Sequence, residues 1–419
     1  MPLRRRIPTW TELRPLVRLE RPWASGPARL ARAATIEDLR AMAGRRTPRA
    51  VFDYVDGAAE SELSMLRARE AFADIEFRPR VLRDVKHVDA TMDLLGVSSP
   101  IPLILSPTGF TRMMHHEGEW AVGRAAARAG IPYTLSTMGT VSVEDLAADV
   151  PSLQRWFQLY LWQDREASTA LIRRAAVAGF ETLVLTVDTA VAGQRLRDVR
   201  NGLTVPPALT PRTLAGMARH PRWWSNVLTS EAIEFASLRT SAGTVADLVD
   251  RMFDPSLQLD DLAWLRQEWS GRIVVKGIQH PQDARELVDL GVDGIIVSNH
   301  GGRQLDRAAA PLELLPEVVA AVDGRVPVLL DGGVMNGADV VAAVALGADA
   351  VMAGRAYLYG LMAGGESGVD RALEILVSQV HRTLRLLGVP RIADIRDSGQ
   401  VRLRRAPSPA STSYQGEQA

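Results

Sequence analysis

Cysteine is absent from the 419 residues of this chain. Its absence excludes disulfides, thiolate metal sites and a cysteine nucleophile together, and it fits a reducing compartment. Aromatics amount to only 5%, so the core has to be built mainly from alanine, valine and leucine. No excess of either charge sign exists: Lys plus Arg and Asp plus Glu both number 49, which gives no electrostatic reason to expect a nucleic-acid partner. No uncharged apolar run approaches the roughly 20 residues that a spanning helix needs, and the basic start MPLRRRIPTW is followed by no apolar signal segment. These absences predict a protein that is soluble or peripheral, cytoplasmic or held on the cytoplasmic face of the membrane.

What is present is a repeated alternation. Eight apolar runs bounded by turn residues stand at 101–107, 131–137, 156–162, 181–188, 272–278, 294–300, 326–332 and 350–356. They are continuous in hydrophobicity, as parallel strands covered on both faces require, and segments of helical spacing such as EGEWAVGRAAARAG separate them. Eight β/α units predict a (β/α)8 TIM barrel, with active-site groups at the C-terminal strand ends. The gap between the fourth and fifth runs predicts an insertion at roughly 196–255, where Trp223 and Trp224 could form an interfacial anchor, a lid or a subunit contact. Before the barrel, residues 35–62 read as a helical pair with Thr35 as N-cap and Asp38 in the first turn.

Charge is uneven at the N-terminus. Residues 1–32 form a basic arm, with Arg4, Arg5, Arg6, Arg14, Arg18, Arg21, Arg29 and Arg32 against only Glu12 and Glu20. The arm suits either an anionic lipid surface or a subunit contact. The barrel domain is expected over 33–395, and the Pro/Ser-rich tail within 396–419 is expected to be disordered.

Polar groups gather where the runs end. The first yields Pro107, Thr108 and Gly109; the next three yield Ser136, Gln158 with Tyr160, and Thr186 with Asp188. The fifth yields Lys276, the sixth Ser298, His300 and Arg303, the seventh Asp331 with Gly332 and Gly333, and the eighth Gly354 and Arg355. His300 with Asp188 suits a general base whose tautomer a carboxylate sets. Lys276 suits either a Schiff base or a fixed cation near developing negative charge. The DGG and AGRA turns after strands seven and eight suit a phosphate-bearing ligand, with a plain Gly-rich turn as the competing reading. HHEGE at 115–119 offers no third metal ligand at a recognisable spacing, so no metal site is expected. Glycines 364, 365 and 368 lack the strand-then-helix setting of a dinucleotide fingerprint.

These motifs carry a resemblance. SNHGGRQLD at 298–306, with FDYVDGAAE, SPTG, HHEGE, FQLY, LTVD, VKGIQ, LLDGG and AGRAYLYG in order over 33–392, resembles the FMN-dependent α-hydroxy-acid dehydrogenases and oxidases. RLRDVRNG and HPRWW resemble the mycobacterial-type quinone-linked L-lactate dehydrogenases within that family. The resemblance implies FMN as cofactor and oxidation of an L-2-hydroxy acid, lactate first and mandelate or glycolate as alternatives. It implies that Pro107, Thr108 and Gly109 lie against the flavin, that Ser136, Gln158 and Thr186 bond its ring, and that Lys276 offsets the reduced ring's charge. Ser298, Asp331, Gly333, Gly354 and Arg355 would hold ribityl and phosphate. Tyr54, Arg195 and Arg303 would grip the substrate carboxylate, Tyr160 would bond its hydroxyl, and His300 would be the base.

An electron acceptor, quinone or cytochrome, and assembly as a homo-oligomer, typically a tetramer, are further implications, since residues 1–32 are too short for a haem domain. Three departures stand out: Met335 where many relatives carry Arg after DGG, Gly109 where many oxidases carry Ala, and Met138 where glycolate oxidases carry Trp. A non-redox flavin isomerase and a non-catalytic FMN-binding protein remain as other readings. The first would be expected to carry a diphosphate site in place of the carboxylate clamp, and the second is opposed by the intact His300 and Asp188.

Overall fold

The apolar runs become eight strands: β1 (Leu103–Leu105), β2 (Tyr133–Ser136), β3 (Arg155–Leu159), β4 (Thr182–Thr186), β5 (Arg272–Ile278), β6 (Gly294–Ser298), β7 (Val328–Asp331) and β8 (Ala350–Ala353). In this computed structural model, which describes residues 9–14, 26–202, 218–231, 233, 235–236, 253–396 and 398–404, they close into one parallel barrel in chain order, with β8 against β1. Continuous hydrophobicity has its physical reason here, because every residue of β2, β4, β6, β7 and β8 is buried. Ile104, Trp156, Val184, Val274, Ile296, Leu329 and Met352 turn inward and pack on one another, while their neighbours face the helices. Burial of each large apolar side chain contributes about 1.5–3 kcal/mol.

A hairpin that the sequence reading did not anticipate, Met92–Leu94 paired with Val97–Ser99, adds Met92 and Leu94 to this inner cluster. Except for β5, which spans its whole run, the observed strands are shorter than the apolar runs, and residues past their C-terminal ends, such as Tyr160, His300, Gly332 and Arg355, line the site.

The helical pair before the barrel forms as expected, as α1 (Ile36–Arg46) and α2 (Arg49–Asp56), followed by α3 (Leu63–Ala73). Thr35 accepts from the Asp38 amide at 3.1 Å while the Asp38 carboxylate accepts from the Thr35 amide at 2.9 Å, a reciprocal cap. Past β7 and β8 come α4 (Gly337–Ala345), α5 (Arg355–Gly364) and α6 (Glu366–Leu387). α5 packs on both α1 and α6. Gly360 of α5 lies directly against the Gly368 carbonyl of α6, an approach that leaves no space for a Cβ.

Three regions depart from expectation or pass out of view. Trp223 is buried and its Nε1 donates to the Met113 carbonyl at 3.1 Å, so it belongs to the core; of the expected anchor pair only Trp224 stays partly open to solvent. Val401–Leu403, inside the tail expected to be disordered, forms a strand antiparallel to Ile75–Phe77, because Val401 and Leu403 pack on the core. Much of the basic arm, most of the insertion and residues 405–419 lie outside the described residues. Among the described residues no helix is long and apolar enough to cross a membrane.

Gly360→Ala is expected to lower stability by about 1–3 kcal/mol, since the obstructing atom is backbone and cannot rotate away, and that outweighs the better helix propensity of alanine. A denaturant titration of the two proteins checks it.

Candidate active site

Three adjacent strand ends build the charged floor of the site. Lys276 lies two residues before the end of β5, at the irregularity in its pairing with β6, while β6 ends in Ser298 and β7 in Asp331, with Asp331 in register with Ser298. Lys276 Nζ lies 2.9 Å from Asp331 Oδ2 and donates to Ser298 Oγ at 3.0 Å, and Ser298 donates to Asp331 at 2.7 Å. Ser106 donates to the other Asp331 oxygen at 2.8 Å. Burial pulls the Lys276 ammonium down, but Asp331 and Asp188 outweigh it and hold the group above its ordinary value. Burial likewise pushes the Asp331 carboxyl up, and Lys276 outweighs that and holds it below the usual carboxylate range. Both groups are therefore charged in the folded protein.

His300 follows this floor. Its amide donates to Ser298 Oγ at 3.0 Å, and its Nδ1 lies 2.9 Å from Asp188 Oδ1. With the ring N–H directed at the carboxylate, Nε2 keeps the lone pair. The Asp188 carboxyl is pushed up by burial, yet the facing His300 ring and Lys276 bring it below its ordinary value. His300 has φ 57°, and Gly301 and Gly302 continue at 64° and 75°, a left-handed turn that the two glycines tolerate and that a Cβ at Gly302 would drive into the Met65 backbone. At Gly277 a Cβ would meet the Asp188 side chain, so glycine there gives the carboxylate its place.

Cations and aromatic rings form the adjoining wall. The guanidinium of Arg303 lies 4.9 Å, and that of Arg195 5.7 Å, from the centre of the Tyr54 ring. Arg303 donates to the Tyr54 carbonyl at 2.6 Å, and Arg195 pairs with Asp198 at 2.8 Å. Burial, reinforced by Arg195, pushes Arg303 down to about 10. Burial, with Asp188 adding to it, pushes the Tyr160 phenol up, so it stays a proton donor.

Lys276, Asp331, His300, Arg303, Arg195, Tyr54 and Tyr160 open on one cavity of about 810 Å³. Of the residues singled out from the sequence, all line it except Asp188 and Ser298, which stand behind it. The Ser298 hydroxyl is already used by Lys276, His300 and Asp331, so it positions its neighbours rather than meeting a ligand. Arg355 donates to the carbonyls of Val55, Gly57 and Gly301 at 2.8–2.9 Å, which ties α2 to the His300 turn. The sequence reading missed Arg69, bonded to the Gly333 carbonyl and paired with Asp339 at 2.7 Å, and Tyr357, whose hydroxyl lies 2.6 Å from that of Thr108. Arg69 lies one helical turn past Met65, which also lines the cavity, and Tyr357 lies within the AGRAYLYG motif. A Cβ at Gly109 would meet the Met138 side chain at 2.7 Å, so the two departures noted at these positions are coupled.

The cavity fits a flavin. Buried Gln158 Nε2 and Thr186 Oγ1 have no partner, and both belong to residues of the cavity wall. They could supply hydrogen bonds to a heteroaromatic ring, with the Lys276 cation beside them. Among the described residues no group of acids and histidines could hold a metal. The class is thus a (β/α)8 barrel with a flavin-sized cavity, a His–Asp pair and a cationic clamp at its C-terminal mouth.

Comparison with known proteins gives the family: residues 43–402 match the FMN-dependent dehydrogenases, and the chain belongs to that family. A Mycobacterium tuberculosis protein provisionally named an L-lactate dehydrogenase is 55% identical over 406 residues, 97% of this chain and 98% of that one. L-lactate dehydrogenase of Caulobacter vibrioides is 42% identical, covering 86% of this chain and 96% of its own length. A solved (S)-mandelate dehydrogenase, described as a monotopic membrane protein, superposes with a TM-score of 0.85 at 38% identity, over 89% of this chain and all of that one.

Lys276→Met leaves Asp331 buried without its cation and is expected to cost about 3–5 kcal/mol of stability. Urea unfolding of flavin-free wild type and variant measures it.

Proposed function

We propose that this protein oxidises L-lactate to pyruvate with FMN and passes the electrons to a quinone or a cytochrome. The observation that carries the reading is the pairing of His300 with Asp188 beside the buried cations Arg303 and Arg195 in one cavity. A small 2-hydroxy acid has the matching groups, a carboxylate for the cations and a hydroxyl-bearing carbon for the base. Arg303 and Arg195 bind and orient the carboxylate, and Tyr54 backs them. Tyr160 donates a hydrogen bond to the substrate oxygen. His300 Nε2 takes a proton, and Asp188 stabilises the imidazolium that results. Bound FMN supplies a two-electron acceptor, so the acid loses two electrons and two protons and becomes a 2-oxo acid. Lys276 offsets negative charge as it develops on the cofactor side.

Pro107, Thr108 and Gly109 provide the surface for the flavin, Ser136, Gln158 and Thr186 its polar ring contacts, and Asp331, Gly333 and Gly354 the ribityl side. A larger 2-hydroxy acid such as mandelate is the second reading, favoured by the similarity to mandelate dehydrogenase and by the absence of a side chain at Gly109. We also propose peripheral contact with a membrane, where a quinone would be met, supported by the neighbour's monotopic description and by the exposed Leu228 next to Trp224 on helix Pro221–Leu228. Assembly as a homo-oligomer, a tetramer by resemblance, completes the proposal.

Asp188→Asn is expected to lower kcat by about 10²–10⁴-fold with little change in KM, because the base loses its orienting charge but the clamp survives. Arg303→Lys is expected instead to raise KM for lactate by about 10–100-fold, as one ammonium replaces a planar pair of donors. Steady-state reduction of a quinone analogue by lactate reads both. Stoichiometric hydrogen peroxide in place of quinone reduction would make the protein an oxidase and overturn the proposed acceptor.

A further inference from the structure

The cavity that holds His300 has a second region, at the start of α4, lined by Gly333, Met335, Asn336, Gln379 and Arg382. The link between α4 and α6 is defined: the Gly337 amide donates to Gln379 Oε1 at 2.9 Å. Arg382 lies three residues further along α6, about one helical turn on and on the same face. It therefore stands beside the turn that runs from Asp331 through Gly333 into α4. Among the described residues, Arg382 is the one cation that α6 presents to this cavity.

Arg382 differs from the other cations on the cavity wall in its partners. Every other cation on the cavity wall is paired with a carboxylate or, for Arg303 and Arg355, bonded to backbone carbonyls. Arg382 is exposed and has neither a hydrogen bond nor an ion pair among the described residues. The helix terminus next to it offers an anion little. The Asp339 carboxylate already takes the amides of Met335 and Asn336 at 2.8 and 3.1 Å, Asn336 takes that of Asp339 at 2.9 Å, and Gln379 takes that of Gly337. Arg69 neutralises Asp339 and spends its own charge in doing so. Met335, on the same wall, brings no charge.

FMN places a phosphate dianion at one end and its ring at the other. With Lys276 and the unpartnered Gln158 and Thr186 atoms at the ring end, the phosphate has to find a cation elsewhere in the cavity. We propose that Arg382 is that cation and holds the FMN phosphate at the end where Met335 supplies none. The inference rests on the flavin reading of the cavity and adds to it a residue on α6, outside the strand-end loops.

The test compares FMN with riboflavin, which lacks the phosphate. Full-length protein stripped of its flavin is titrated with each, with binding read by the quenching of flavin fluorescence, for wild type, Arg382→Gln and, as a control on an exposed cation of the same helix outside the cavity, Arg385→Gln. Arg382→Gln is expected to weaken FMN by about 10–100-fold while leaving riboflavin unchanged, because only a charge-assisted bond to the phosphate is lost. Unchanged riboflavin binding also certifies that the variant is folded. Arg385→Gln is expected to match wild type for both. An FMN-over-riboflavin preference that survives Arg382→Gln, or falls equally in Arg385→Gln, overturns the assignment of Arg382. Wild type that binds neither flavin overturns the flavin reading, and the inference with it.

Discussion

An ammonium group sealed at the mouth of a barrel keeps its charge because Asp331, 2.9 Å away, and Asp188 offset the cost of its burial. The rest of the site is organised by the pair of Lys276 and Asp331. Ser298 sits between the two charges and uses its hydroxyl to bond both, and its remaining acceptor position receives the amide of His300. Asp188 faces Lys276 as well as His300, so the field that keeps the lysine charged also keeps the base's partner ionised. Arg355 holds the Gly301 carbonyl and ties the same turn to α2, whose Tyr54 and Gly57 carbonyls receive Arg303. His300, Lys276 and Arg303 are thus parts of one connected polar network at the rim to which the closed barrel delivers its strand ends.

The barrel was legible in the sequence because its cause is local: strands covered on both faces need unbroken apolar runs, and all eight runs became strands in the expected order. The gathering of His300, Asp188, Lys276 and Asp331 was legible for a related reason, since a parallel barrel converts the position just after a strand into a position at the mouth. Other features depend on contacts distant in sequence. Trp223 beside Trp224 reads as an interfacial anchor, a lid or a subunit contact, and only its tertiary packing and its bond to the Met113 carbonyl show it to be core. Ser298 sits two residues before His300 in sequence, yet tertiary bonding commits its hydroxyl to Lys276 and Asp331. Val401–Leu403 lies in a polar tail, and its strand exists because Ile75–Phe77 offers an edge. Arg382 lies on a long amphipathic helix where a surface charge is the ordinary expectation, and only the pairing of all its rivals marks it out.

Specificity follows from small residues as much as from charged ones. Gly109 and Met138 touch in a way that forbids a side chain at the first without a shift of the second, so this part of the cavity wall is set by the two together. Methionine is flexible enough to repack, which connects this wall to the choice between a methyl-bearing and an aryl-bearing 2-hydroxy acid.

The measurement that bears most directly on the account is anaerobic mixing of the purified, FMN-loaded protein with L-lactate while the flavin absorbance is followed, with D-lactate, glycolate and L-mandelate in parallel. Rapid loss of the oxidised-flavin band with L-lactate, and not with D-lactate, is the result the account predicts, since the clamp and His300 fix which face of the hydroxy acid meets the flavin. An oxidised-flavin band unmoved by any of the four acids, with FMN bound, would contradict it.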